Sequence, residues 1–166
     1  GNSGSGKTWL AKQLANTIHA PLIHLDELFW DSNGFEKKRS SEDISQLIKS
    51  SLENHSWIVE GVFGALAENY LPQSELLVWL NMDWGLCEQR LLLRGSESQL
   101  HMNRIQSEAG LTKLINWAST YHIRNDDCSF HGHQDIFSKF NGLSFHLQNE
   151  SDVANFLAEL DKTHAK

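Results

Sequence analysis

Eight residues, Gly1-Asn2-Ser3-Gly4-Ser5-Gly6-Lys7-Thr8, carry the spacing G-x-x-x-x-G-K-[ST], the pattern of a glycine-rich turn that wraps main-chain N–H groups around a phosphate chain. Each residue type has a mechanical reason. Glycine at positions 1, 4 and 6 permits backbone angles and close approach that a Cβ would block, so successive N–H groups turn inward on an anion. Lys7 then reaches the β- and γ-phosphates, and the Thr8 hydroxyl coordinates Mg2+. A flexible glycine-serine turn is the bland alternative. Against it, Leu10, Leu14 and Ile18 repeat at helical spacing, so a helix follows and aims its positive end at the same phosphates.

Further along, two acids close apolar runs: Asp26 after "PLIHL" and Glu60 after "WIV", with Gly61 directly behind it. In a parallel sheet, ligands gather beyond the carboxyl ends of the strands. Glu60 is there placed to hold the hydration shell of Mg2+, and Asp26 to accept a proton from a substrate hydroxyl or bind a water. Each could instead cap a following helix. Arg90 and Arg94 lie four apart on one helical face, where two cations suit the charge spread over oxygens in phosphoryl transfer; the alternative is surface pairing with Glu88 or Glu97. Arg39 either holds an acceptor anion or ends a solvated cluster with Lys37 and Lys38.

Two further stretches invite chemistry and read better as structure. Cys128, His131 and His133 could suggest zinc, but histidines two apart on a helix diverge, and no second Cys/His pair completes four ligands. Asp126-Asp127 is expected to begin that helix instead. Ile115, Trp117 and Tyr121 could line a base pocket, yet aromatics at helical spacing are more often core.

These residues need elements to position them. Helix is expected from Lys7 to about His19, strand over Pro21 to Leu25, and helix after the capping pair Ser40 and Asp43. A second strand, Trp57 to Glu60, a short helix near Ala65 to Tyr70, a third strand in "ELLVWLN" and a helix capped by Asp83 follow. Residues 96–141 read as a mainly helical, lid-like segment; "GLSFHL" is a last strand, and Ser151 is expected to cap the terminal helix. Continuous apolar strands alternating with helices predict one α/β domain over 1–166, a three-layer P-loop NTPase fold whose parallel sheet is covered by helices on both faces. The motif also requires a buried strand immediately before Gly1. The sequence as given has none, so the expectation is a fragment boundary with the first strand missing.

Bulk properties narrow the partners. With 14 basic against 21 acidic residues the net charge is −7, which argues against direct nucleic-acid binding. No apolar run reaches the 18 or so residues that cross a bilayer, and no membrane partner is expected. Two cysteines make no disulfide framework and suit a reducing cytoplasm.

The segment "LVWLNMDWGLCEQRLLLR" resembles the strand-helix unit of adenylate kinases and related nucleoside monophosphate kinases. That resemblance implies that Arg90 stacks on adenine and Arg94 contacts phosphates, and "IVEGVF" is similar to the acid-glycine step that places Glu60 near magnesium. Many members carry aspartate at that step. "PLIHLDELFW", Arg39 and "SWIVEGVFG" together resemble the bacterial adenylate-kinase-like group labelled DNA topology modulation proteins, over most of residues 1 to 147. The adenylate kinases' arginine-rich lid is matched here only by Arg104 and Arg124. The implied activity is a small-molecule kinase using ATP and Mg2+, with Asp26, Arg39 and Gly61 touching a nucleotide, nucleoside or other small acceptor. The alternative is an ATP-binding regulatory protein with little transferase activity.

Overall fold

The computed structural model describes residues 1–31, 37–95 and 104–164. Helix α1, Lys7–Ile18, ends at His19, which takes the left-handed conformation and returns its N–H to Ala15. Strand β1, Leu22–His24, runs into the short helix α2, Leu25–Phe29. Helix α3, Ser41–Leu52, begins as its sequence dictates, with the Ser40 side chain accepting from the Asp43 N–H. Strand β2, Ile58–Glu60, leads to α4, Gly64–Ala67, and a 3-10 turn at Leu71–Gln73.

The second half repeats the alternation. Strand β3, Leu76–Leu80, is followed by α5, Trp84–Arg94, capped by Asp83 through the Gly85 N–H. Helix α6, Arg104–Ser119, packs on α5. Helix α7 is Phe130–Lys139, β4 is Leu143–Leu147 and α8 is Glu150–His164. Two starts differ from expectation. Ser129, accepting from Gly132, caps α7, while Asp126 shapes the preceding turn by accepting from the Cys128 N–H. At α8 the Asn149 side chain accepts from the Asp152 N–H, so the helix begins one residue before Ser151. In both cases several residues with capping side chains stand close together, and the choice among them depends on the angle at which the chain arrives.

The expected three-layer P-loop NTPase fold requires correction. The chain forms two separate two-stranded parallel sheets, β1-β2 and β3-β4, rather than one large parallel sheet. Leu22 stands opposite Ile58 and His24 opposite Glu60 in the first; Leu76 to Leu80 stand opposite Leu143 to Leu147 in the second. Among the described residues no ladder joins β2 to β3. Between them lies a cavity of about 610 Å3, lined by Val59 and Glu60 on one side, Leu76 to Leu80 on the other, and Leu10, Ala11 and Leu14 of α1.

Each sheet accordingly has its own apolar cluster. Leu25, Leu28, Ile44, Ile48 and Tyr70 pack on the first; Leu10, Leu80, Met82, Cys87, Leu147 and Phe156 pack on the second. The apolar strands and the helices between them do predict parallel pairing, and both pairs are parallel. What the pattern does not encode is which strand edges meet, because every apolar edge offers the same main-chain groups.

Candidate functional site

The turn 1–6 leads into α1 with Gly4 at φ 79° and Gly6 at φ 96°. These angles disfavour any residue with a Cβ. At Gly4 a Cβ would also lie 2.4 Å from the Cys87 carbonyl oxygen. The first turn of α1 has no side-chain cap, so its N–H groups point outward with the positive end of the helix dipole behind them. The Ser5 hydroxyl is buried without a hydrogen-bond partner.

The side chains around this turn hold it closed. The Lys7 ammonium donates to the Asn2 carbonyl at 2.8 Å, and the Asn2 amide donates to Ala118 of α6 at 3.0 Å. From α5, the Arg90 guanidinium donates to the Ser5 carbonyl at 3.2 Å and pairs with Glu150 of α8 at 2.8 Å. Ser3 donates its N–H to the Asn2 side chain. Arg94 is exposed at the end of α5.

Glu60 is the meeting point of the two distant segments. One of its carboxylate oxygens accepts from the Thr8 hydroxyl at 3.0 Å and lies 2.6 Å from His24 Nδ1. Parallel register explains the second contact, since His24 and Glu60 are partners across β1-β2. Asp26 sits two residues beyond His24, half-buried. Burial raises its pKa above the ordinary carboxylate value, while the nearby Lys7 charge opposes the rise. Burial likewise lowers the pKa of Lys7, opposed by the carboxylates of Glu60 and Asp26. Thus Lys7, Thr8, Asp26 and Glu60 share one electrostatic neighbourhood.

The remaining expected residues fall elsewhere. Arg39 donates to the carbonyls of Leu28 at 3.2 Å, Glu27 at 3.2 Å and Trp30 at 2.9 Å; its fork closes the carboxyl end of α2. Gly61 lies against Leu25, where a Cβ would come within 2.6 Å of the Leu25 Cβ, so its smallness serves packing between β2 and α2. Trp117 receives the Arg124 guanidinium 4.0 Å above its ring, and Tyr121 is buried. His131 is exposed while His133 is buried, so the two do not converge. The lid-like segment falls partly on residues 96–103, outside the described residues.

Sequence reasoning missed His24, Asn2 as a strap to α6, and Glu150 as the partner of Arg90. Only His24 had a signal in the sequence: it ends an apolar run two residues before Asp26, at the carboxyl end of a strand where ligands gather. The other two contacts join residues 116 and 60 positions apart, and no local pattern marks them.

No protein-family profile matches the chain, and no curated protein does. Among solved structures, an uncharacterized protein from Eubacterium ventriosum is similar at 17% identity, covering 97% of this chain and 94% of that one, with a TM-score of 0.46. No helix among the described residues is long and apolar enough to cross a membrane.

Proposed function

We propose that the chain is a small P-loop kinase, resembling the adenylate-kinase-like group, that transfers the γ-phosphate of ATP to a nucleotide, nucleoside or other small acceptor in the cytoplasm. The observation that carries this reading is the contact between Thr8 at the head of α1 and Glu60 at the end of β2, 52 residues apart. A hydroxyl and a carboxylate brought together beside a phosphate cradle are the protein groups a nucleotide-bound Mg2+ uses.

The residues present fit that pair of ligands. Left-handed glycines, an uncapped helix start and the unpartnered Ser5 hydroxyl leave a set of donors suited to an anion. Gly1, Asn2, Ser3, Gly4, Ser5 and Gly6 would hold the phosphates with Lys7, and Thr8 and Glu60 would hold Mg2+. Bound ATP supplies the transferable phosphoryl group. The ammonium of Lys7 exchanges the Asn2 carbonyl for a phosphate oxygen. Arg90 and Arg94 offset the negative charge that builds during transfer. Asp26, its basicity raised by burial, would accept the acceptor's proton.

The test is coupled ADP release with ATP and Mg2+ across nucleosides, nucleoside monophosphates and small polyols. Turnover stimulated by one acceptor class is the expected result. Tight nucleotide binding with only basal hydrolysis would instead mark a regulatory ATP-binding protein. Absence of any nucleotide affinity in folded protein ends the phosphoryl-transfer reading.

A further inference from the structure

Behind the site runs a chain of three buried side chains that crosses from one sheet to the other. His133 of α7 places Nε2 2.9 Å from the Val62 carbonyl oxygen. A carbonyl only accepts, so Nε2 carries the ring proton and Nδ1 is bare. The Tyr121 hydroxyl lies 2.7 Å from that Nδ1 and donates to it. Its lone pair is then free for the indole N–H of Trp79, 3.2 Å away on β3. Each donor thus meets one acceptor, all in one direction, which fixes the tautomer and the hydroxyl rotor without ambiguity. Burial, aided by the nearby positive charges of Lys7 and Arg124, holds the His133 pKa at about 2; the ring is neutral, as the arrangement requires.

The end of this relay matters because of what Val62 follows. Glu60 is the last residue of β2, a strand of three residues with one paired edge among the described residues, where no further ladder fixes the chain beyond it. Several contacts hold the turn after it: Gly61 packs on Leu25, the Phe63 ring stacks on Phe29, and the Val62 carbonyl, the contact nearest Glu60 that comes from the other half of the chain, is tied to His133. We propose that His133 is a positioning residue for the Glu60 site, acting through the Val62 carbonyl, with Tyr121 and Trp79 anchoring it to the opposite sheet. The inference rests on the phosphoryl-transfer reading. Outer partners of a metal-holding group commonly contribute ten- to a hundredfold in metal affinity, and here the outer partner acts on the carboxylate's backbone.

The experiment is calorimetric titration of ADP with and without Mg2+ on the parent chain and three variants. In the parent, Mg2+ should tighten binding. His133→Leu should lose about tenfold of that gain while metal-free ADP affinity stays within about twofold of the parent's. His133→Gln, which keeps an N–H donor, should recover most of the loss, a result that lost packing alone would not produce. Tyr121→Phe preserves volume and should lose an intermediate share; it decides the matter if His133→Leu does not fold. The full Mg2+ gain in folded variants, or an equal fall in both affinities, overturns the positioning role. A folded parent that binds no nucleotide overturns the phosphoryl-transfer reading itself, a distinct outcome that removes this inference with it.

Discussion

Lys7 sits where two opposing effects meet: burial disfavours its charge, and the carboxylates of Glu60 and Asp26 favour it. An ammonium so placed is stabilised further by any polyanion that enters the turn, so its removal should act on ligand and chemistry far more than on folding. Lys7→Ala is therefore expected to lower turnover by about a hundredfold or more, with the thermal midpoint moved only slightly. Retained activity in steady-state ADP release would take the ammonium out of the mechanism. His133 gives a pH signature of a different kind. Its folded pKa of about 2 lies below the ordinary value of 6.5, so between those limits the unfolded chain binds a proton that the folded chain refuses. The stability this contributes is complete above about pH 6.5 and is lost as pH falls through that window. Urea midpoints from pH 7 to 4 should fall more steeply in the parent than in His133→Gln; parallel slopes would show that the ring is not the group responsible.

At the scale of elements, the helix starts are decided by short-range hydrogen bonds. Ser40, which accepts from Asp43, opens α3, whose Ile44 and Ile48 anchor the first sheet's apolar cluster. Ser40→Ala should destabilise by about 1 kcal/mol, read from chemical unfolding at constant m-value. Arg39 is the sharper case, because the sequence left two roles open. Three carbonyls at the end of α2 accept from its fork, and Arg39→Ala would leave them without it. The expected loss is about 1–3 kcal/mol, with acceptor KM little changed. A large rise in acceptor KM at unaltered stability would restore a substrate role to the guanidinium.

At the scale of the whole molecule, the two sheets meet across a space rather than a ladder. Helix α1 reaches toward both, Leu10 belongs to the second sheet's cluster, and the Trp79-Tyr121-His133 relay ties β3 to the turn after β2. The cavity of about 610 Å3 between β2 and β3 makes a direct prediction. Ala11 lines it from α1 and is 5% exposed, so Ala11→Leu adds apolar volume where room exists and should stabilise by roughly 1 kcal/mol. Were β2 and β3 laddered directly, the same change would overpack the core and cost about 1–3 kcal/mol. Unfolding free energies of the two proteins separate the cases by sign.

Local pattern carried a good deal of this. Four fixed positions set the turn before α1, the Ser40 and Asp83 caps mark two helix starts within the chemistry of a few neighbouring atoms, and the stretches Pro21 to Leu25, Trp57 to Glu60, "ELLVWLN" and "GLSFHL" each contain the strand expected there, trimmed by the structure to 22–24, 58–60, 76–80 and 143–147. Helices and turns are made of contacts between near neighbours, so a linear text can hold them. Tertiary structure alone decided the rest: that β2 and β3 do not pair, that Arg39 closes α2, that Asn2 straps α6, and that His24, Glu60 and Thr8 converge. These contacts join groups far apart in the chain. Every apolar strand edge and every arginine fork is chemically alike until folding selects its neighbour.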